Sequence, residues 1–221
     1  MNDLSASKKP KEPLSRTRIL LAAMEIADEH GLGALSMRSL GNALGVEAMS
    51  LYNYIAGKKD LLAATLDLVL SDLELPDSSR PWRDELRSLA TATHDALLAH
   101  PWACELLLLP NEPQIITARL MYIESILACL RHAGFSPSAA SRGYHAIDSH
   151  TLGFTLWQLG HTIAKDAPAD FLESMLAQID PQAYPFLMEH AGEHQRGSTH
   201  SGRQEFAFAL DLILDGLQPD G

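Results

Sequence analysis

The sequence predicts an all-α protein, with a small N-terminal helix-turn-helix domain of three helices followed by a larger helical domain. Three observations carry this. Apolar residues recur at helical spacing through most of the 221 residues, and no segment shows the strict alternation of a half-buried strand. Glycine and proline fall between the periodic runs, where helices must stop. Charge is divided unevenly along the chain. The first seventy residues carry eight basic and eight acidic side chains, so the whole net charge of −11 lies beyond them. An acidic body repels a polyanion and leaves the neutral N-terminal part as the one able to dock on it.

Three regions are expected: a disordered basic arm over 1–14, a helix-turn-helix domain with its connecting helix over 15–75, and a helical domain over 76–221. The arm holds Lys8, Lys9, Lys11 and two prolines, with few large apolar groups. Ile19, Ala22, Ala23, Ile26 and Ala27 make the first helix, which Gly31 and Gly33 end. Ser36 is suited to cap a short second helix with Leu40 and Leu44 inward, and Gly45 breaks it. A third helix is expected over Glu47 to Tyr54, and a fourth from Lys58 carrying Leu61, Leu66 and Val69. The turn-rich stretch from Pro76 to Pro81 marks the boundary.

Beyond it, Leu86, Leu89, Thr93 and Leu97 share one face, and Pro101 suits a first helical turn. Ile116, Leu120, Ile123, Leu127 and Leu130 define a helix that Gly134 stops; Ser136-Pro137 opens another reaching about Lys165. Pro168 to Pro185 is weakly patterned, and His190 to Gly202 reads as a polar loop. Arg203 to Leu217 forms the last helix. The total expected is roughly nine or ten helices.

Composition narrows the setting. Two cysteines without C-x-x-C spacing argue against a disulfide framework, and the polar N-terminus lacks a secretory apolar run, so a cytoplasmic location is expected. The longest stretch free of Asp, Glu, Lys and Arg, Ser149 to Ala164, is too short and polar to span a bilayer.

The informative segment is Ser36 to Leu62. Two short helices that cross steeply need a small residue where they touch, and Gly41 stands there. Their turn needs a residue tolerant of positive φ, which Gly45 supplies. Tyr52, Tyr54, Lys58 and Lys59 suit a phosphate backbone. Arg38 suits bidentate contact with guanine, and Ser50 and Asn53 can reach base edges or phosphates.

Residues 15–66 resemble the DNA-binding domain of the TetR (tetracycline repressor) family. The resemblance rests on Leu51-Tyr52-Asn53-Tyr54, then Lys58-Lys59-Asp60-Leu61-Leu62, after the Leu44-Gly45-Val46 turn; Ile55 stands where an aromatic is usual. It implies that Tyr52 and Lys58 hold phosphates and that Arg38, Ala48, Met49 and Ser50 face the major groove. With Ser36, Asn53 and Tyr54, these are the candidate contacts to double-stranded operator DNA. Ala48 and Met49 are apolar reading positions suited to thymine methyls.

The second half resembles the C-terminal domain of the tetracycline-repressor branch through His100-Pro101-Trp102, Ala133-Gly134-Phe135-Ser136, Ser149-His150-Thr151-Leu152-Gly153 and the closing Phe206 … Asp215-Gly216-Leu217. That implies a repressor with a small-molecule effector and a homodimer built on helices 137–165 and 203–217. Both helices are apolar around most of their circumference, which independently asks for burial on two sides. Leu152, Leu156, Leu210 and Leu214 are the expected interface.

Tetracycline repressors hold their drug with magnesium and an acidic residue on the helix after the Ser-His-Thr-Leu-Gly motif; Trp157 stands at that place here. An aromatic wall suits an apolar or aromatic effector instead. Trp102, Leu106, Tyr122, Ile126, His150, Phe154 and Trp157 are its candidate lining, and no cofactor is expected. His190, His194 and His200 lie in a segment too weakly structured for a fixed zinc site, so no metal is expected. Asp148, Ser149 and His150 are triad residue types, but neighbours on one helix point about 100° apart and cannot form a relay. No phosphate loop, G-x-S-x-G or H-E-x-x-H pattern occurs, and the chain is not expected to be an enzyme.

Overall fold

A computed structural model describes residues 13–108, 116–164, 171–195 and 202–220, and these are helical and irregular, with no strand among them. Eleven helices are described, in two compact units spanning residues 1–68 and 69–221. The arm expected over 1–14 lies, up to residue 12, outside the described residues. No helix among them is long and apolar enough to cross a membrane.

The first unit contains α1 (Arg16–His30), α2 (Met37–Leu44), α3 (Ala48–Leu51) and most of α4 (Lys58–Ser71). Ser15 caps α1 by accepting from the Arg18 amide at 3.2 Å. Ile19, Ala23, Leu35, Leu40, Leu51, Ile55 and Leu61 make the core. The third helix is shorter than expected: after Leu51 the chain turns, and the amides of Tyr54 and Ile55 both donate to the Leu51 carbonyl. That turn drives Ile55 into the core, where it is buried beside Leu51.

In the second unit, α5 (Trp82–Ala99), α7 (Thr117–His132), α8 (Pro137–Ala164) and α11 (Gly202–Gly216) pack on one another, with α6 (Trp102–Leu108) against α5. Leu86, Leu89, Thr93 and Leu97 are buried, as their spacing predicts. On α7 the buried stripe is instead Ala118, Tyr122, Ile126 and Cys129, with Leu130 shared between both patterns, while Leu120 is exposed. Gly134 has φ +92° and closes the α7–α8 turn, and the Ser136 hydroxyl accepts from the Ala139 amide to start α8.

Two further expectations are corrected. The weakly patterned and polar stretch holds α9 (Phe171–Leu176) and α10 (Pro185–Gln195), so His190 lies in a helix and not in a loop. More important, Leu210 and Leu214 are 0 % exposed in the single chain, and Leu152 is buried too. Phe206, Leu210 and Leu214 fill the core against α5 and α8, so these leucines have no surface left for a partner. The outward stripe of α11 is Phe208 and Leu212, 64 % and 62 % exposed, and on α8 Leu156 remains outside with Trp157.

Candidate nucleic-acid interface

The α2–α3 crossing is set by absence of a side chain. A Cβ added to Gly41 would lie 2.9 Å from the Val46 carbonyl oxygen and 3.2 Å from the Ala48 nitrogen. Gly45 turns the chain in the left-handed region at φ 66°, and the Val46 amide closes back on the Gly41 carbonyl at 2.9 Å. At the other end of α2, Ser36 and Ser39 form a reciprocal capping box: each side chain accepts from the other's amide, at 3.0 and 2.9 Å. The Ser36 hydroxyl is therefore committed to the helix start, a local role that precedes any contact with a ligand.

Arg38, Met49, Tyr52, Asn53, Tyr54 and Lys58 are exposed; Ala48 and Ser50 are half-buried. The short α3 and the turn after it thus bring Met49, Tyr52, Asn53 and Tyr54 to the surface, while Leu51 anchors the helix beneath. Lys58, the first residue of α4, reaches the Leu32 carbonyl at 3.4 Å, a long contact that leaves two ammonium protons to spare.

One support is not legible as a motif. The Arg16 guanidinium donates to the Tyr54 carbonyl at 2.8 Å and pairs with Asp60 at 3.1 Å, and Asp60 accepts from the Ala56 amide at 2.9 Å. The start of α1, the tyrosine turn and the first turn of α4 are stitched together by these three bonds. The Ala56 amide foremost, and Arg16 after it, hold the Asp60 carboxyl below the ordinary aspartate value. The signal available in the sequence is an acid in the first turn of a helix; its partner is 44 residues away.

A scaffold in which two crossed helices, the turn after them and the start of α4 present an arginine, hydroxyls, an amide and a lysine beside one exposed apolar residue is that of a DNA-reading head. Comparison with known proteins decides its family. The profile of "Bacterial regulatory proteins, tetR family" matches residues 19–65, and that of "Tetracyclin repressor-like, C-terminal domain" matches residues 75–220. The chain belongs to the TetR family. TetR-family repressors bind DNA and respond to small-molecule ligands, and this chain is a DNA-binding transcriptional regulator of that kind.

It is 32 % identical over 96 % of its length to the HTH-type transcriptional repressor DrrR1 of Streptomyces coeruleorubidus, covering 80 % of that protein. It is 29 % identical to the class D tetracycline repressor protein of Escherichia coli, over 93 % of this chain and 89 % of that one. Among solved structures it is similar to ActR of Streptomyces coelicolor in complex with actinorhodin, with a TM-score of 0.74 and 25 % identity over 93 % of this chain and 97 % of ActR.

In the second unit of this TetR-family regulator the expected effector residues separate into groups. Tyr122 and Ile126 are buried in the core, and Trp102 is buried on α6, where Leu106 is half-buried. His150, Phe154 and Trp157 come together through Phe206: His150 stacks on Phe206 at 4.8 Å, Phe154 meets it edge-on at 5.6 Å, and Trp157 lies 5.3 Å from Phe154. His94, which the sequence did not single out, stacks on the same ring at 4.1 Å and is fully buried. Its Nδ1–H donates to the Thr155 hydroxyl at 2.7 Å, because that hydroxyl spends its own proton on the Thr151 carbonyl.

A polar group was also missed. Arg119 pairs with Asp148 at 2.6 Å, Tyr144 donates to the same carboxylate at 3.3 Å, and the guanidinium lies 4.9 Å over the Tyr122 ring. Burial, the largest single influence, would lower the Arg119 pKa; the hydrogen bond and charge of Asp148, with Tyr144 and Tyr122 behind them, together outweigh it and raise the value. Asp148 is thereby engaged on α7, while His150 Nε2–H donates to the Phe206 carbonyl at 3.0 Å, so the two point to different neighbours. Of the three histidines weighed as metal ligands, His200 and the side chain of His194 lie outside the described residues.

Proposed function

We propose that this regulator is a cytoplasmic repressor that leaves its operator when a small apolar or aromatic effector binds the second unit. Operator phosphates are held by Tyr52, Tyr54 and Lys58, and base edges are read by Arg38, Met49, Ser50 and Asn53, with Ala48 and Ser36 close by. Exposure and chemistry support this set: guanidinium, ammonium and phenol donors share one small, rigid unit. Lys58→Ala and Tyr52→Phe are expected to weaken operator binding without loss of fold. Removing the Lys58 charge lowers the slope of log K against log salt by about one unit, whereas Tyr52→Phe removes a neutral donor and leaves the slope in place. Fluorescence anisotropy over a salt series measures it; an unchanged slope and affinity in Lys58→Ala would remove this face from the DNA.

The observation that carries the effector class is the aromatic run from buried His94 through Phe206 and Phe154 to Trp157, half of which is exposed. A ring system of that kind offers π-faces and apolar area, and Trp157 replaces the carboxylate that a metal-drug complex needs. ActR, solved in complex with actinorhodin, lends weight to a small-molecule effector. Titration with planar aromatic compounds is expected to quench tryptophan emission, and Trp157→Phe to remove that change. A ligand that displaces DNA while leaving Trp157 emission untouched contradicts this placement.

The homodimer is assigned to the outward faces of α8 and α11, with Leu156, Phe208 and Leu212 at its centre. These side chains expose apolar area that the single chain leaves wet.

A further inference from the structure

We infer that base recognition by α3 is centred on Met49 and that its target is the C5 methyl of a thymine in the operator; this rests on the DNA face assigned above. Met49 is 75 % exposed and lies outside the packed cluster of the first unit, to which Met37, Val46 and Leu62 all contribute. Its neighbours on α3 are differently employed. Ala48 backs onto Gly41 at close range, Leu51 is buried, and Ser50 is half-buried. Glu47, just before the helix, is an acceptor-only carboxylate that phosphates repel. Met49 is therefore the side chain of α3 that projects farthest from the unit, and it cannot donate a hydrogen bond.

Folding asks little of an apolar side chain there, because three quarters of it stays exposed. Docking in a major groove does. Along that groove every base pair shows hydrogen-bonding groups, and the apolar feature is the thymine methyl. A thioether is polarisable and flexible enough to cover a methyl without exact geometry. Burying one methyl against it is worth about a fourfold change in affinity per half-site. The structure thus points to a thymine at the base step under Met49, read by its methyl and not by its O4.

Selection of bound duplexes from a random pool, using the full chain, supplies the operator half-site. Each thymine is then replaced in turn by deoxyuridine, which deletes only the methyl, and affinity is measured for the unaltered protein and for Met49→Ala. The expected result is one symmetry-related thymine whose loss of methyl weakens binding by about fourfold per half-site, with Met49→Ala indifferent to the same change. If every uracil-substituted duplex binds as tightly as the selected one, or if Met49→Ala keeps the uracil penalty, the inference is wrong while the DNA face stands. If no duplex is selected, or Lys58→Ala selects and binds as the unaltered protein does, the DNA face itself fails.

Discussion

Gly41 acts through the side chain it lacks: the Val46 carbonyl occupies the place where a Cβ would go. Gly41→Ala pushes on backbone, which has no rotamer to yield, and is expected to destabilise the first unit by about 1–3 kcal/mol. Thermal unfolding measures the loss, and operator affinity falls with it because the crossing of α2 and α3 opens. His94 acts through its burial. Burial, above all, lowers its pKa from the usual 6.5, with the nearby His150 and Arg203 acting the same way and Asp95 and Gln158 against them. The folded protein therefore keeps His94 neutral where the unfolded chain takes up a proton. Stability is complete above the unfolded value of 6.5 and declines as pH falls below it. His94→Gln is expected to flatten the melting temperature between pH 7 and about pH 5; a slope equal to that of the unaltered protein would assign the loss elsewhere. Residue types that work locally were legible: Ser36 as a cap, Gly41 as a contact, Gly45 as a turn. Arg16 with Asp60 and His94 with Thr155 were not, because those bonds join residues 44 and 61 positions apart and nothing local announces the partner.

The helices themselves were legible wherever one face is apolar and the other polar, as on α5. Where a helix is apolar all round, spacing gives its existence but not its phase. On α11 Phe206, Leu210 and Leu214 form one stripe and Phe208 and Leu212 another, and both satisfy helical spacing; only packing against α5 and α8 shows that the first is core. The same ambiguity moved the inward face of α7 from Leu120 to Tyr122. The consequence is a clean pair of experiments. Leu212→Glu or Phe208→Glu places charge on a wet face and is expected to give folded monomers by light scattering, with helical circular dichroism intact. Leu214→Ala hollows the core and is expected to cost about 2–5 kcal/mol of stability. If Leu212→Glu stays dimeric at micromolar concentration, the interface lies elsewhere. The short α10 escaped sequence reading because its Phe186 and Leu187 are exposed and mark no buried stripe, and on the six-residue α9 Met175 is exposed as well.

At the scale of the whole molecule, the DNA-reading unit and the larger helical unit are joined through α4, whose residues run from Lys58 in the first to Ser71 in the second. A regulator of this family couples two binding events, and the coupling must be reciprocal: an effector that lowers operator affinity by some factor finds its own affinity lowered by operator DNA by the same factor. An effector without preference between the DNA-competent and released conformations shifts nothing, however tightly it binds. The measurement that bears most directly on ligand-released repression follows both partners at once. Operator anisotropy is titrated with an aromatic compound that quenches Trp157, and the emission titration is repeated with operator in excess. The compound is expected to weaken DNA binding, and DNA to weaken compound binding by an equal factor. Compounds that quench Trp157 and leave operator affinity unchanged, in every case tried, would contradict ligand-released repression.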